Sequence, residues 1–371
     1  MRRLRTILLG GLLTALLVGA NSTQVFAQEG KKVTIKTIDG VRLEGTWYSR
    51  NRTSPVVLML HGIGSDSSNN GWQALAKTLH KKDFAVLSLD LRGHGESTNI
   101  DKEAFWSSNN SRLFQRLKGA PESKISYKQF RSDYFPYIVN DIAAAKAWLD
   151  KRSDEGWCNS ASLLLVGEKT GATLGARWLL SEWNRYPGQK IRDALGLPAV
   201  IPDFNHAMGQ YVIGCVWLSM RTSHIPKKPP TKKEFNECIW FLSKAVKKKA
   251  TPMLFLYNAK VKVDKVVSER YAKTLGGSNK KSKNQFIAAL GIEGAKDLQG
   301  SELLLKTGLT DKVTNYLKAV VDNKTNTPKA WSLNQKQYFW VYGPNPSQWI
   351  QANDLNSEKF KYNSFRGFPT R

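Results

Sequence analysis

The chain runs to 371 residues, of which 56 are Lys or Arg and 30 are Asp or Glu, for a formal net charge of +26. That length suits one large α/β domain or two small ones, and the excess of positive charge favours polyanionic partners such as nucleic acid, anionic lipid or acidic polysaccharide. Three cysteines, Cys158, Cys215 and Cys238, exclude a disulfide framework; at most one bridge is allowed, with Cys158 and Cys238 the more open pair and Cys215 inside an apolar strand.

Arg2, Arg3 and Arg5 precede the apolar stretch Ile7 to Ala20 and the small-x-small site Val25-Phe26-Ala27. This is the pattern of a cleaved secretory signal over residues 1–27, with an uncleaved anchor helix as the alternative. The mature chain is expected to start near Gln28, to act in the periplasm or outside the cell, and to keep no transmembrane segment. Val33, Ile35 and Thr37, then Asp39-Gly40, then Val41, Leu43 and Gly45 read as a hairpin with a type I′ turn. Val56 to Leu60 is a continuous apolar run of the buried, parallel-sheet kind, ending in His61-Gly62. Trp72, Leu75, Ala76 and Leu79 have helical spacing, and the strand Ala85 to Leu91 follows. The polar stretch Thr98 to Arg131 is too long for an ordinary connection and reads as an insertion with some helix of its own.

A helix is expected over Ser132 to Lys151, then the strand Leu163 to Val166 running directly into a helix that reaches about Trp183. A second insertion, Tyr186 to His206, precedes the strand Tyr211 to Leu218. Ile225 to Lys249 carries a short amphipathic helix around Phe235, Ile239 and Leu242. Pro252 to Tyr257 and Asn284 to Leu290 read as the last core strands, and Leu309 to Val321 as the closing helix. The alternation of strand and helix implies a doubly wound, mostly parallel sheet over residues 28–325. From Asn326 to Arg371 the composition shifts to aromatics among Asn, Gln, Pro and Ser, with Gln335 to Tyr342 a candidate strand. Packing over the domain, or a platform for sugars or bases, are the two uses of such rings.

Lys227-Lys228, Lys232-Lys233, Lys247-Lys248-Lys249 and Lys280-Lys281 are scattered and match no nucleic-acid-binding motif. They argue against nucleic acid and leave a cell-envelope polyanion, or a diffusely basic surface. No Cys/His spacing resembles a metal site, and no cofactor is called for. Gly167-Glu168-Lys169-Thr170-Gly171 sits between an apolar strand and a helix, where a tight turn lifts one side chain to the tip. It is no Walker A loop, because Ser162 stands where that loop needs its first glycine.

Three segments in register resemble the α/β-hydrolase superfamily, in the branch of monoacylglycerol lipases and S33 serine aminopeptidases. They are the strand ending His61-Gly62, the turn Asp90-x-Arg92-Gly93-His94-Gly95-x-Ser97, and the elbow Gly167 to Gly171. The resemblance implies an α/β-hydrolase fold over roughly Val33 to Val321, with insertions after the fourth and fifth core strands. It implies an oxyanion hole from the amides of Ile63, after Gly62, and Thr170, and structural roles for His61 and His94. It also implies a nucleophile where this chain has Lys169, an acid near Val261 whose nearest carboxylate is Asp264, and a late histidine base. No histidine follows His224, and Glu293, Lys296 and Asp297 occupy the loop instead. A protonated amine is no nucleophile at neutral pH, so the expectation is an inactive catalytic set. The pocket of Gly62, Ile63, Lys169 and Thr170 is then expected to hold a small anionic or acyl-type, carbonyl-bearing ligand. A Schiff base on Lys169 and a relocated serine hydrolase using His206 or His224 are the alternatives.

Overall fold

The computed structural model describes residues 30–37, 39–106, 110, 122–132, 134–184, 191–192, 198–199, 208–223, 231–249, 251–276, 287–323, 338–341 and 348–351. The expected signal, His206, His224 and most of the aromatic tail lie outside them. Two antiparallel strands, β1 (Lys31–Lys36) and β2 (Arg42–Tyr48), open the fold. They are followed by β3 (Pro55–Leu60), β4 (Ala85–Leu89), β5 (Asn159–Glu168), β6 (Val212–Leu218), β7 (Met253–Asn258) and β8 (Ile287–Ile292). The eight strands form one sheet in the order β1-β2-β4-β3-β5-β6-β7-β8, parallel from β4 onward. Strand β2 joins β4 antiparallel.

The helices are α1 (Asn70–Lys81), α2 (Lys102–Trp106), α3 (Val139–Asp154), α4 (Lys169–Asn184), α5 (Lys232–Lys249), α6 (Lys262–Thr274) and α7 (Leu309–Asp322). Alternate residues of the central strands feed two cores. Val56, Leu58 and Leu60 of β3 pack with α3, α4, α5 and α6 on one face. Val57 and Met59 pack with Trp72, Leu75 and Leu79 of α1 and with Val313, Leu317 and Val320 of α7 on the other. A strand covered on both faces must be apolar throughout, and each such Val or Leu contributes about 1.5–3 kcal/mol by burial.

Boundaries moved where local geometry outweighed pattern. The helix expected from Ser132 begins as a 3-10 turn at Phe135–Ile138, with Pro136 in that turn, before α3 takes over. The last core strand, expected over Asn284 to Leu290, is described over Ile287–Ile292 and so continues past Leu290; Asn284 itself lies outside the described residues. Helix α2 lies in the first insertion. Tyr338–Val341, in the stretch expected as an extra strand, pairs with Gln348–Gln351 apart from the main sheet.

The hairpin stands, but its turn does not. Strand pairing stops at Lys36 and Arg42, leaving a five-residue connection. Asp39 is not among the described non-glycine residues with positive φ, which are Asp83, Lys169, Ser219 and Lys296. A type I′ turn needs positive φ at both central positions. The reason is a buried ion cluster: Arg92 Nη1 donates to Asp39 Oδ2 at 2.5 Å and to Tyr134 Oη at 2.8 Å, while Arg92 Nε donates to Asp141 Oδ1 at 2.8 Å. Burial alone would raise the Asp39 carboxyl, but the Arg92 guanidinium outweighs it and holds the group below the usual carboxylate range.

The three cysteines are free and buried, so the Cys158–Cys238 pair does not bridge. The Cys238 thiol, on α5, donates to Thr222 O at 3.3 Å and is pushed up to about 12 by burial. No helix among the described residues is long and apolar enough to cross a membrane.

Candidate functional site

Strand β5 ends at Glu168 and α4 begins at Lys169, with no loop between. The turn is sharp enough that Lys169 takes φ +47°. A left-handed conformation costs a non-glycine residue about 1–2 kcal/mol, so the surrounding contacts must hold it in place. Gly171 supplies the clearance, because a Cβ there would lie 2.1 Å from His61 O. This is the steric reason for the glycine-flanked spacing in the sequence.

Glu168, at 1% exposed, turns inward and ties two distant segments to the elbow. Its Oε1 accepts from Gly62 N at 2.9 Å, and its Oε2 accepts a short hydrogen bond from Ser301 N. The two amides expected to face a ligand are arranged differently. Ile63 N donates to the hydroxyl Oγ1 of Thr170 at 2.7 Å, so the side chain of one expected site residue takes up the amide of the other. The Thr170 amide lies in the first turn of α4, where helix geometry provides no intrahelical acceptor.

Lys169 is half-buried, and its ammonium makes no hydrogen bond or ion pair among the described residues. Beside it stands a residue that the sequence did not single out. Arg221 follows β6 and is fastened to the elbow by backbone: its N donates to Lys169 O at 3.2 Å, and its O accepts from Thr173 Oγ1 at 2.6 Å. Its guanidinium reaches Asp264 Oδ1 at 2.9 Å and Gln299 Oε1 at 2.6 Å. Asp264, in the first turn of α6, is thus drawn to the elbow as the sequence suggested, but it is paired to Arg221 rather than to an imidazole. Burial pushes its carboxyl up, opposed by Arg221, a Ser219 hydrogen bond and the Lys169 charge.

The loop after β8 would have to carry a base. Instead, Asn258 Nδ2 holds it through Lys296 O at 2.7 Å and Leu298 O at 3.0 Å. Its backbone then presses onto the elbow at Gly300. A Cβ on Gly300 would meet Glu168 Oε2 at 2.3 Å and Lys169 Cε at 3.0 Å. Peptide and lysine stem therefore occupy the ground between elbow and loop.

The described histidines serve the scaffold. His61 Nε2 accepts from Leu91 N at 2.9 Å, with Nδ1 2.8 Å from Gly62 O. His94 places Nδ1 2.8 Å from Arg92 O and stacks on Tyr127 with ring centroids 4.3 Å apart. Burial, with His61 nearby, holds His94 down at about 3. His80 is buried on α1 beside Tyr48. Among the described residues, no three His, Cys, Asp or Glu side chains gather as a metal site.

The alpha/beta hydrolase fold family matches residues 55–153. With the strand order and the elbow, that decides the architecture. The fold is the α/β-hydrolase fold. The matched stretch runs from β3 into α3 and stops short of the elbow. Among solved structures, the chain is similar to a dienelactone hydrolase from Anabaena variabilis, at 15% identity and TM-score 0.46 over 79% of this chain and 95% of that one. It is similar also to the Pyrococcus furiosus esterase Pf2001, at 16% identity and TM-score 0.45 over 78% and 92%. The thermostable carboxylesterase EstE1, from a metagenomic library, gives 17% identity and TM-score 0.46 over 80% and 89%. No curated protein matches the chain.

Proposed function

We propose that this protein is a non-hydrolytic binder on an α/β-hydrolase scaffold, taking an anionic or carbonyl-bearing ligand at the elbow. We further propose that it does so outside the cytoplasm, after removal of its N-terminal signal. The observation that carries the reading is Lys169: a cation that makes no hydrogen bond or ion pair among the described residues, held in a strained conformation at the N-terminus of a 16-residue helix. Strain kept at a strand tip points to use of that tip, and a helix N-terminus adds favourable field for negative charge. Arg221, half-exposed, adds a guanidinium-bearing side chain beside the elbow, paired to Asp264. The Ile63 amide, engaged by Thr170, is a latent donor that a ligand oxygen would have to win from that hydroxyl.

Hydrolysis needs a deprotonated nucleophile and a base to take its proton. The elbow offers an ammonium, and peptide backbone faces it. The experiment is calorimetric titration of butyrate and of methyl butyrate into the wild-type protein and Lys169→Gly. Butyrate should bind the wild type and not the variant, while the variant melts higher, gaining about 1 kcal/mol from relief of the left-handed strain. Binding unchanged in Lys169→Gly, or steady heat from ester turnover, would remove this reading.

A further inference from the structure

We propose that the outward face of α5 and α6 docks on an anionic lipid surface. These neighbouring helices cover one face of the sheet, joined by the stack of Phe235 on Tyr271 at 4.7 Å and by Arg270 over the Phe235 ring at 4.0 Å. Their inward stripes enter the core through Phe235, Cys238 and Leu242 on α5 and Val267 and Tyr271 on α6. Their outward stripes combine two features that seldom occur together on a water-facing helix.

The first is exposed apolar surface. Trp240 is 45% exposed, Val263 47% and Val266 53%, three of the five large apolar side chains that stand out this far among the described residues. The second is the charge around them. Lys233 and Lys247 lie two turns either side of Trp240 on the exposed face of α5. On α6, Lys262 and Lys273 flank Val266 along the exposed face, with Lys265 beside it. The acidic side chains are outnumbered: Glu234 and Glu237 are half-buried and Glu269 is exposed, against Lys232, Lys233 and Lys247 on α5 and Lys262, Lys265, Arg270 and Lys273 on α6, all exposed.

Helix α7, on the opposite face of the sheet, lacks this combination. On α7 the exposed charges Lys312 and Lys318 are balanced by Asp311 and Asp322, and α7 contributes no large exposed apolar side chain. A polar polyanion would be served by the lysines, and its sugars or bases by stacking on the indole, but it would gain nothing from two exposed valines. An anionic bilayer is served by all of them, lysines meeting phosphates while the indole and the valines enter the headgroup boundary. Helix α6 also opens with Asp264, so docking here would bring the elbow close to the lipid surface.

The test is co-sedimentation of the processed protein with phosphatidylglycerol-containing and pure phosphatidylcholine vesicles. Wild type should sediment with the anionic vesicles only. Trp240→Ser with Val266→Ser, and separately Lys262→Glu with Lys265→Glu, should each weaken binding by roughly tenfold or more. Lys312→Glu with Lys318→Glu, on α7, should leave it unchanged. All six positions are exposed, and an unaltered melting curve checks that each variant folds. Equal binding to neutral vesicles, or an equal loss from the α7 variant, would overturn the proposal. So would full retention by the Trp240/Val266 variant with displacement by dextran sulfate, which would assign the face to a soluble polyanion.

Discussion

Two turns at the ends of parallel strands, the one after β4 and the one after β5, both bury charged side chains, and they do so in different ways. At the first, Arg92 is fully buried between Asp39 and Asp141, partners that the hairpin and α3 bring to the same turn. Around it Asp90 accepts from Ser67 N and Glu96 N, so the charged groups of this turn are satisfied by fully buried partners and neighbouring backbone. At the second, Glu168 and Arg221 reach to Gly62, Ser301, Asp264 and Gln299, drawn from segments that a hydrolase would use to assemble a crevice. The polar groups of the first turn serve the scaffold. The second is a sharp strand-to-helix elbow whose side chains bind distant segments together.

That contrast can be broken at its strongest point. Arg92→Met should leave Asp39 and Asp141 buried without their cation and cost about 3–5 kcal/mol in urea unfolding, with much of the loss recovered by adding Asp39→Asn. A loss under about 1 kcal/mol would mean the first turn is not the anchor described. The elbow should be nearly as sensitive for a different reason. Glu168→Ala strips the acceptor from two buried amides, Gly62 N and Ser301 N, and should cost about 2–4 kcal/mol. Hydrogen exchange at those two amides should rise together, and a change at only one would undo the idea of a single staple.

A smaller effect sharpens the picture of the first turn. The His94 value of about 3 lies below its ordinary 6.5, so the unfolded chain takes up a proton that the folded chain refuses. Stability from this group is complete above about pH 6.5 and is lost as pH falls, by about 2 kcal/mol on reaching pH 5. His94→Gln should flatten that part of the stability curve. An unchanged slope would place the titration elsewhere.

Sequence pattern captured the sheet and both glycines of the elbow, because steric and burial requirements leave local signatures. The apolar run of β5 and the spacing Trp72, Leu75, Ala76, Leu79 needed no partner to be read. Arg221 carried no such signature. Its role comes from a backbone bond to Lys169 and side-chain bonds to Asp264 and Gln299, 43 and 78 residues onward. Glu168 carried no such signature either, and the fold shows it gripping Gly62 and Ser301. The Asp39-Gly40 turn misled for a related reason: a strong local preference yielded to a charge 53 residues away.

The account turns on whether the elbow can carry out acyl transfer. Intact-protein mass spectrometry after treatment with a fluorophosphonate probe addresses this directly, since an activated serine would gain the mass of one phosphonyl group. The mature protein should show no adduct after prolonged exposure. A stoichiometric adduct that maps to one serine and disappears with His206→Ala or His224→Ala would contradict the account and reinstate a working hydrolase.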